Sequence, residues 1–295
     1  MEIPLHELTT TYRGALRYFI LTLRTAKLLR RCRPRAILVQ NPSLVLAALA
    51  VCLRPFFGYR LTVDAHNEAV EPFLNRSAPI RWLTHWVLRR ADLTIVTNEP
   101  LARVVRKIDG KPLVLPDRIP TPPANQAKAL EGLNLVLIAT YAGDEPYQQV
   151  LQAVAGLDLT LYVTGNHLKL PVQVREAAPP NVRFTGFLNE AAYWSLLSQV
   201  DGVIDLTTMD NCLVCGAYEA VSLRKPLLLS DNEASISLFA DCALFTDNSV
   251  ASIRERLLQW PAKMEELRCG TERTAERIDA AWKTGAEELR LAMHR

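Results

Sequence analysis

The chain reads as an α/β protein of two Rossmann-like domains, each doubly wound around a parallel sheet. Three observations carry that reading. Short β-branched runs without polar alternation recur along the sequence, as strands covered on both faces require. Segments of helical period separate them, which is the alternation of βαβ units. One proline-rich stretch divides the series in two. The 295 residues, 49% hydrophobic and 22% charged, suit two domains with a core each and exclude a disordered or collagen-like chain.

In the first series the strands fall at Ala36–Gln40, Tyr59–Asp64, Leu93–Thr97 and Pro112–Leu115. The helices between them are expected over Thr11–Arg33, Ser43–Leu53, Ile80–Arg90 and Glu99–Lys107. Only Glu2–Leu8 offers a possible strand before the first helix. A complete Rossmann domain opens on a strand and a glycine-containing turn, so the N-terminal domain is expected to be shortened, or to lack an upstream portion. Pro116–Ala129, with Pro116, Pro120, Pro122 and Pro123, is the linker candidate. The expected domains are therefore residues 1–120 and 130–295. In the second, strands are expected at Leu133–Ala139, Leu159–Val163, Val182–Phe184, Gly202–Asp205 and Pro226–Leu229. Its helices are expected at Pro146–Ala155, Glu190–Ser198, Gly216–Leu223, Ser249–Gln259 and Ala262–Met293. In open sheets of this kind ligands sit at the carboxyl ends of the strands.

Charge separates the two halves. Residues 1–125 hold 19 Lys/Arg against 9 Asp/Glu, and residues 126–295 hold 15 against 22. A basic half faces an anionic partner such as lipid or phosphate, and an acidic half does not suit nucleic acid. The longest apolar run, Leu44–Leu53, is half of what a membrane span needs. Six scattered cysteines fit a reducing cytosol rather than a disulfide framework.

Four segments carry candidate chemistry. On the first helix Arg13, Arg17, Arg24, Lys27 and Arg31 fall within about 80° of one another, beside Leu16, Phe19, Leu23 and Ala26. That pattern fits a helix lying on an anionic membrane surface, at about 1 kcal/mol per basic residue. It equally fits a surface helix whose apolar side packs on the sheet. No aromatic platform is interleaved with the charges, so nucleic acid is not expected. His66, in a loop directly after a strand, reads either as a structural residue or as a base or hydrogen-bonding group for a phosphate or hydroxyl. The segment from Asp210 through Asn211, Cys212 and Gly216 to Glu219 follows the strand Gly202–Asp205 and enters a helix. The backbone N–H groups of residues 211–217 offer a cradle for a diphosphate, and Glu219 a carboxylate for the two hydroxyls of a ribose. Cys212 and Cys215 form a single Cys-x-x-Cys, weak evidence for zinc or redox chemistry. Gly165 and Asn166 follow another strand end, where glycine admits close backbone approach as well as a turn.

With these residues in place, the chain resembles a GT-B glycosyltransferase. Glu219-Ala220, with Lys225-Pro226 six residues on, resembles the second half of the Glu-x7-Glu segment of the retaining family-four enzymes. Val39–Ser43 and Asp64-x-His66-Asn67 resemble segments of the lipid-linked chitobiose β-mannosyltransferases, and Leu93–Asn98, Leu115–Asp117 and Phe184–Phe187 fit bacterial polysaccharide members. The resemblance implies a nucleotide-sugar donor on the C-terminal domain, contacted by Glu219, by the loop 210–217, and by Tyr141, Gly165 and Asn166 after neighbouring strands. It implies a lipid-linked glycan acceptor on the N-terminal domain, with His66 near the reacting centre, and no bound metal or other cofactor. Two departures stand out. The first Glu of Glu-x7-Glu falls at Asn211, and the Arg and Lys of the family are missing from Ala139–Pro146.

The expected function is transfer of a sugar from a nucleoside diphosphate sugar to a lipid-linked or polysaccharide acceptor in cell-surface glycan assembly, by a cytoplasmic enzyme peripheral to the inner face of the membrane. The alternatives are a degenerate or split subunit of this fold that binds or scaffolds within a membrane glycan complex, and a GT-B-like epimerase acting on a UDP-sugar, for which only His66 and His167 fall in cleft loops.

Overall fold

The computed structural model describes residues 4–41, 43–65, 67–70, 77–124 and 128–294. The chain divides into two compact units, Met1–Pro116 with Lys283–Arg295, and Asp117–Trp282. Residues from Lys283 on, which the sequence reading places in the second domain, pack with the first.

The first unit contains α1 (Gly14–Cys32), β1 (Ala36–Asn41), α2 (Leu44–Phe57), β2 (Arg60–Ala65), α3 (Asn67–Val70), α4 (Ala78–Arg90), β3 (Leu93–Val96), α5 (Glu99–Lys107) and β4 (Pro112–Val114). Its strands form a parallel sheet in the order β1-β2-β3-β4. Leu61 and Val63 of β2 are fully buried, as are Val87, Leu88, Leu101 and Val105 of the covering helices. This is the reason those strands read as unbroken apolar runs. The helix starts follow elementary capping: the Asn98 side chain accepts from Leu101 N, with Pro100 in the first turn of α5. Residues 4–10 form neither strand nor helix, so no strand is present over the described part of Glu2–Leu8.

The second unit contains β5 (Asn134–Leu137), α6 (Tyr147–Ala153), β6 (Thr160–Thr164), a 3-10 turn (His167–Lys169), α7 (Val172–Glu176), β7 (Val182–Gly186), α8 (Glu190–Gln199), β8 (Gly202–Asp205), α9 (Cys215–Ser222), β9 (Leu227–Ser230), α10 (Glu233–Phe239), β10 (Ala243–Thr246) and the start of α11 (Val250–His294). The parallel sheet runs β10-β9-β8-β5-β6-β7. The chain builds outward from β5 to β7, then returns to the other side of β5 at β8. The boundary between β5 and β8 is therefore the topological switch point, the place where such sheets bind ligands. The expected α/β class with two parallel-sheet, Rossmann-like units holds, but only the second sheet reverses as a doubly wound domain does. The first, β1-β2-β3-β4, runs in chain order with no reversal over the described residues, because each crossover steps to the next strand on the same side.

One expected break is absent. The terminal region reads as two helices separated at Pro261, because proline removes an amide donor and clashes with the preceding turn. α11 instead runs unbroken through Pro261. Ile253, Leu257, Trp260, Leu267, Thr271, Thr274 and Ile278 are all buried, at alternating spacings of three and four once half-buried Met264 is counted. That continuous stripe holds the helix together across the proline. Beyond it, Leu289 packs with Ile95 and Leu113 in the first unit, and Arg60 Nη1 donates to Ala292 O at 3.0 Å.

Candidate functional site

At the carboxyl end of the second sheet, the loops after β5, β6 and β8 are tied into one platform. Asp144, in the loop after β5, accepts from Thr207 Oγ1 at 2.8 Å, and its carbonyl accepts from Thr208 N at 2.8 Å. Thr207 N donates to Ser230 Oγ at the end of β9, and Asn248 Nδ2 donates to Thr207 O. Asn232 caps α10 and donates through Nδ2 to Cys212 O at 3.2 Å. Thr164, at the end of β6, accepts from Ala139 N and donates to Leu137 O. Gly165 follows at φ 87°, and a Cβ there would lie 2.1 Å from Ala139 O, so only glycine fits. The Tyr141 ring stands beside it, against Tyr147, with its hydroxyl buried; that burial, with the Glu145 charge adding, pushes the Tyr141 pKa up to about 12.

The structure thus brings Tyr141, Gly165, Asn211, Cys212, Gly216 and Glu219 to one end of one sheet. Asn166 caps the 3-10 turn, its side chain accepting from Leu168 N. Asp210 is exposed in the loop after β8. Asn211 adopts a left-handed φ of 57°, a conformation asparagine tolerates better than most residues. His66 lies outside the described residues.

Glu219 sits on α9, half-buried, and its Oε2 accepts a hydrogen bond from Tyr193 Oη of α8 at 2.5 Å. Burial raises the Glu219 pKa, and the Tyr193 hydrogen bond opposes that rise. The same burial, with the Glu219 contact, pushes the Tyr193 hydroxyl far up, so it remains a donor. One carboxylate oxygen is thereby fixed against α8.

The expected cradle of amides differs from the one observed. Gly216 N donates to Asp205 Oδ2 at 3.1 Å, and Ala217 N donates to Val214 O at 3.3 Å, so these two groups are engaged within the chain. Gly216 is required for another reason: a Cβ there would lie 2.3 Å from Ile138 Cδ1 and 2.4 Å from Asp205 Oδ2. Asp205 ends β8, is buried, and has its pKa raised well above the ordinary carboxylate range by that burial; the Gly216 N–H opposes the rise, and Glu145, Glu219 and Asp144 add to it. A second internal carboxylate fills the turn after β5. Glu145 accepts from Thr140 N, Tyr141 N, Ala142 N and Thr140 Oγ1 at 2.6 to 3.3 Å. This is an amide nest of the kind that binds anions, here occupied by the chain's own side chain.

Asp205, Tyr193 and Glu145 were not singled out in the sequence. Asp205 had a signal, as an acid at the end of an apolar strand immediately before the loop. Tyr193 had none, because it reaches Glu219 from a different helix. Cys212 and Cys215 are not joined in a disulfide. The Cys215 thiol is pushed up by burial and then by Asp117, Asp205 and Glu219, which disfavours a reactive thiolate. Among the described residues no group of three or more His, Cys, Asp or Glu is placed to hold a metal ion.

Arg13, at the N-cap of α1, and Arg17, Arg24, Lys27 and Arg31 on it are all exposed, and Arg24 Nη1 donates to Thr9 O. Leu16, Phe19 and Leu23 are 50%, 61% and 55% exposed, and only Leu29 of this helix is buried. The reading in which these side chains pack on the sheet is therefore incorrect. No helix of the described residues is long and apolar enough to cross a membrane.

Solved structures share this architecture. A glycosyltransferase from Rickettsia africae matches with a TM-score of 0.76 and 8% identity, over 98% of this chain and 84% of that one. The HepE protein of Anabaena, solved in complex with UDP and glucose, matches at 0.73 and 12% identity, over 94% and 83%. Sucrose-phosphate synthase from Thermosynechococcus elongatus matches at 0.71 and 13% identity, over 95% and 79%. No family model matches the chain, and no curated protein matches it in sequence. At such identities the likeness is one of fold, the two-domain GT-B architecture.

Proposed function

We propose that the protein is a glycosyltransferase that takes a sugar from a nucleoside diphosphate sugar bound at the carboxyl end of the second sheet. The observation that carries this reading is Glu219, a half-buried carboxylate held by Tyr193 on the helix after the switch-point loop. A carboxylate so placed accepts both hydroxyls of a ribose, and Gly165 and Tyr141 shape the neighbouring wall. That HepE was solved with UDP and glucose supports a nucleotide sugar as the ligand class. Asp210, Asn211 and Cys212 line the loop where the sugar and diphosphate lie. No metal or other cofactor takes part in this scheme, so activity withstands chelation. His66, within the Asp64-x-His66-Asn67 segment that resembles the lipid-linked chitobiose β-mannosyltransferases, is the base that activates the acceptor hydroxyl, and its replacement by alanine abolishes turnover while nucleotide binding survives.

The acceptor is a lipid-linked glycan, presented to the first unit at the inner face of an anionic membrane in the assembly of a surface polysaccharide. Exposed Leu16, Phe19 and Leu23 beside five exposed cations support this. So does a groove of about 870 Å³ along α1, lined by Leu5, Leu8, Leu21, Leu28 and Leu46.

The first test is calorimetry and thermal shift with UDP, GDP, UDP-sugars and GDP-mannose. Binding at a hundred times the dissociation constant stabilises by about 2.7 kcal/mol. A response names the donor, and silence from all of them rejects the reading. A second reading has its own support. Asn211 replaces a carboxylate, and Glu145 and Asp205 fill amide groups otherwise open to a phosphate. These features suit a subunit that binds or scaffolds without turnover. A nucleotide that binds but whose sugar is never transferred to lipid acceptors selects it.

A further inference from the structure

We propose that Lys169 is the cation that meets the phosphates of the nucleotide, a role that rests on the donor site proposed above. Anion binding at a strand end needs amide donors or a positive side chain. Here amides at two strand ends are withdrawn: Thr140, Tyr141 and Ala142 donate to Glu145, and Gly216 donates to Asp205. The sheet-end loops 138–146, 165–171, 187–189, 206–214, 231–232 and 247–249 contain five acids, Asp144, Glu145, Asp210, Asp231 and Asp247. The same loops contain one Lys or Arg, Lys169. A diphosphate approaching this end of the sheet therefore meets a repulsive field that a single side chain relieves.

Position agrees with charge. The 3-10 turn His167–Lys169 is capped by Asn166 at its start and anchored by His167, whose ring lies 5.6 Å from that of Phe184. The turn projects the exposed Lys169 across the loop after β5, where Nζ lies 3.3 Å from Thr140 O. A single long hydrogen bond to a carbonyl leaves two ammonium protons for a ligand. The cation thus arrives from the loop after β6, on the far side of the β5 loop from Glu219, and the two side chains bracket the switch point. The nucleotide lies with its ribose toward Glu219 and its diphosphate between the loop of Asp210–Cys212 and Lys169.

The test compares UDP, GDP and ADP with uridine, guanosine and adenosine by calorimetry on the full chain, as wild type, Lys169→Ala, Lys169→Arg and Lys263→Ala. Lys263 is an exposed residue of α11 and controls for net charge. The expected result is at least a tenfold loss of diphosphate affinity in Lys169→Ala with nucleoside affinity within twofold of wild type. Lys169→Arg recovers most of the loss, Lys263→Ala shows none, and the salt dependence of diphosphate binding flattens in Lys169→Ala. Diphosphate affinity unchanged in Lys169→Ala overturns this inference alone. Equal losses for diphosphate and nucleoside overturn it too, since they indicate that Lys169 only supports the Thr140 loop. A wild-type chain that binds no nucleoside diphosphate overturns both this inference and the proposed donor site.

Discussion

Tyr193 Oη donates to Glu219 Oε2 at 2.5 Å, from a helix 26 residues earlier in the chain. The pairing matters because burial and hydrogen bonding act on Glu219 in opposite directions. Burial favours the neutral acid, and the phenol favours the carboxylate. A ribose needs the carboxylate, which accepts two hydroxyl donors at once. Tyr193→Phe removes the opposing contribution, so the Glu219 pKa rises further. The acid limb of nucleoside diphosphate binding then moves to higher pH than in wild type, while affinity at pH 8 falls little. Glu219→Ala loses the charged acceptor itself and weakens binding by about 1.5–3 kcal/mol at every pH above the limb. Calorimetry from pH 5 to 8 separates the two; an unmoved limb in Tyr193→Phe rejects Glu219 as the titrating ligand.

Asp205 tests the electrostatics of the switch point without a ligand. Its folded pKa is raised by burial, so the folded chain binds the proton more tightly than the unfolded chain. The sign follows: this group costs no stability below the ordinary value of 3.8, and stability is lost as pH rises from there through the folded pKa. Above that pKa the cost is complete and constant. Asp205→Asn keeps an oxygen to accept from Gly216 N and removes the titration. Its denaturant midpoint should therefore decline less than that of wild type between pH 4 and pH 8. Parallel pH profiles for the two proteins would show that Asp205 is not buried as an acid.

Most of the framework was legible because its signals are local. The strands Ala36–Gln40, Leu93–Thr97 and Gly202–Asp205 are apolar on both faces, which sequence displays directly. β10 and α10, of four and seven residues, were missed. The unbroken α11 was missed because Pro261 gives a strong local stop signal, whereas the buried stripe from Ile253 to Ile278 is spread over more than six turns. At the candidate site, Glu219 was singled out through its motif and its place after a strand. Its partner Tyr193 was not, since the pairing exists only after α8 and α9 pack. The role of the 211–217 amides was overread because the sequence does not show that Asp205 turns back to occupy Gly216 N.

The C-terminal part of α11 supplies a further check. Leu289 is 7% exposed and fills a cluster with Ile95 of β3 and Leu113 of β4. Truncating a buried leucine costs about 2–5 kcal/mol. Leu289→Ala should lower amide hydrogen-exchange protection in β3 and β4 and leave β8 and β9 protected, with nucleoside diphosphate affinity unchanged. Equal losses in both sheets would show that the terminal residues do not belong to the first unit alone.

The membrane reading makes the largest claim about α1 and is the easiest to break. Leu16, Phe19 and Leu23 stand in solvent beside Arg13, Arg17, Arg24, Lys27 and Arg31, an arrangement that a lipid interface satisfies on both counts: apolar side chains enter the acyl boundary while the cations meet headgroups. Each basic residue near an anionic surface contributes about 1 kcal/mol. Reversing Arg17, Arg24 and Arg31 to Glu removes three such attractions and adds three repulsions. These side chains are exposed, so the fold and nucleotide binding should survive. Sedimentation with vesicles of 30% phosphatidylserine is expected to capture the wild type and leave the triple variant in the supernatant, with the wild type itself released as salt is raised. Replacing Leu16, Phe19 and Leu23 by Ser is expected to weaken capture while keeping its salt dependence, because it removes the insertion and leaves the charges. Capture of the charge-reversed variant equal to that of wild type would reject α1 as the docking element.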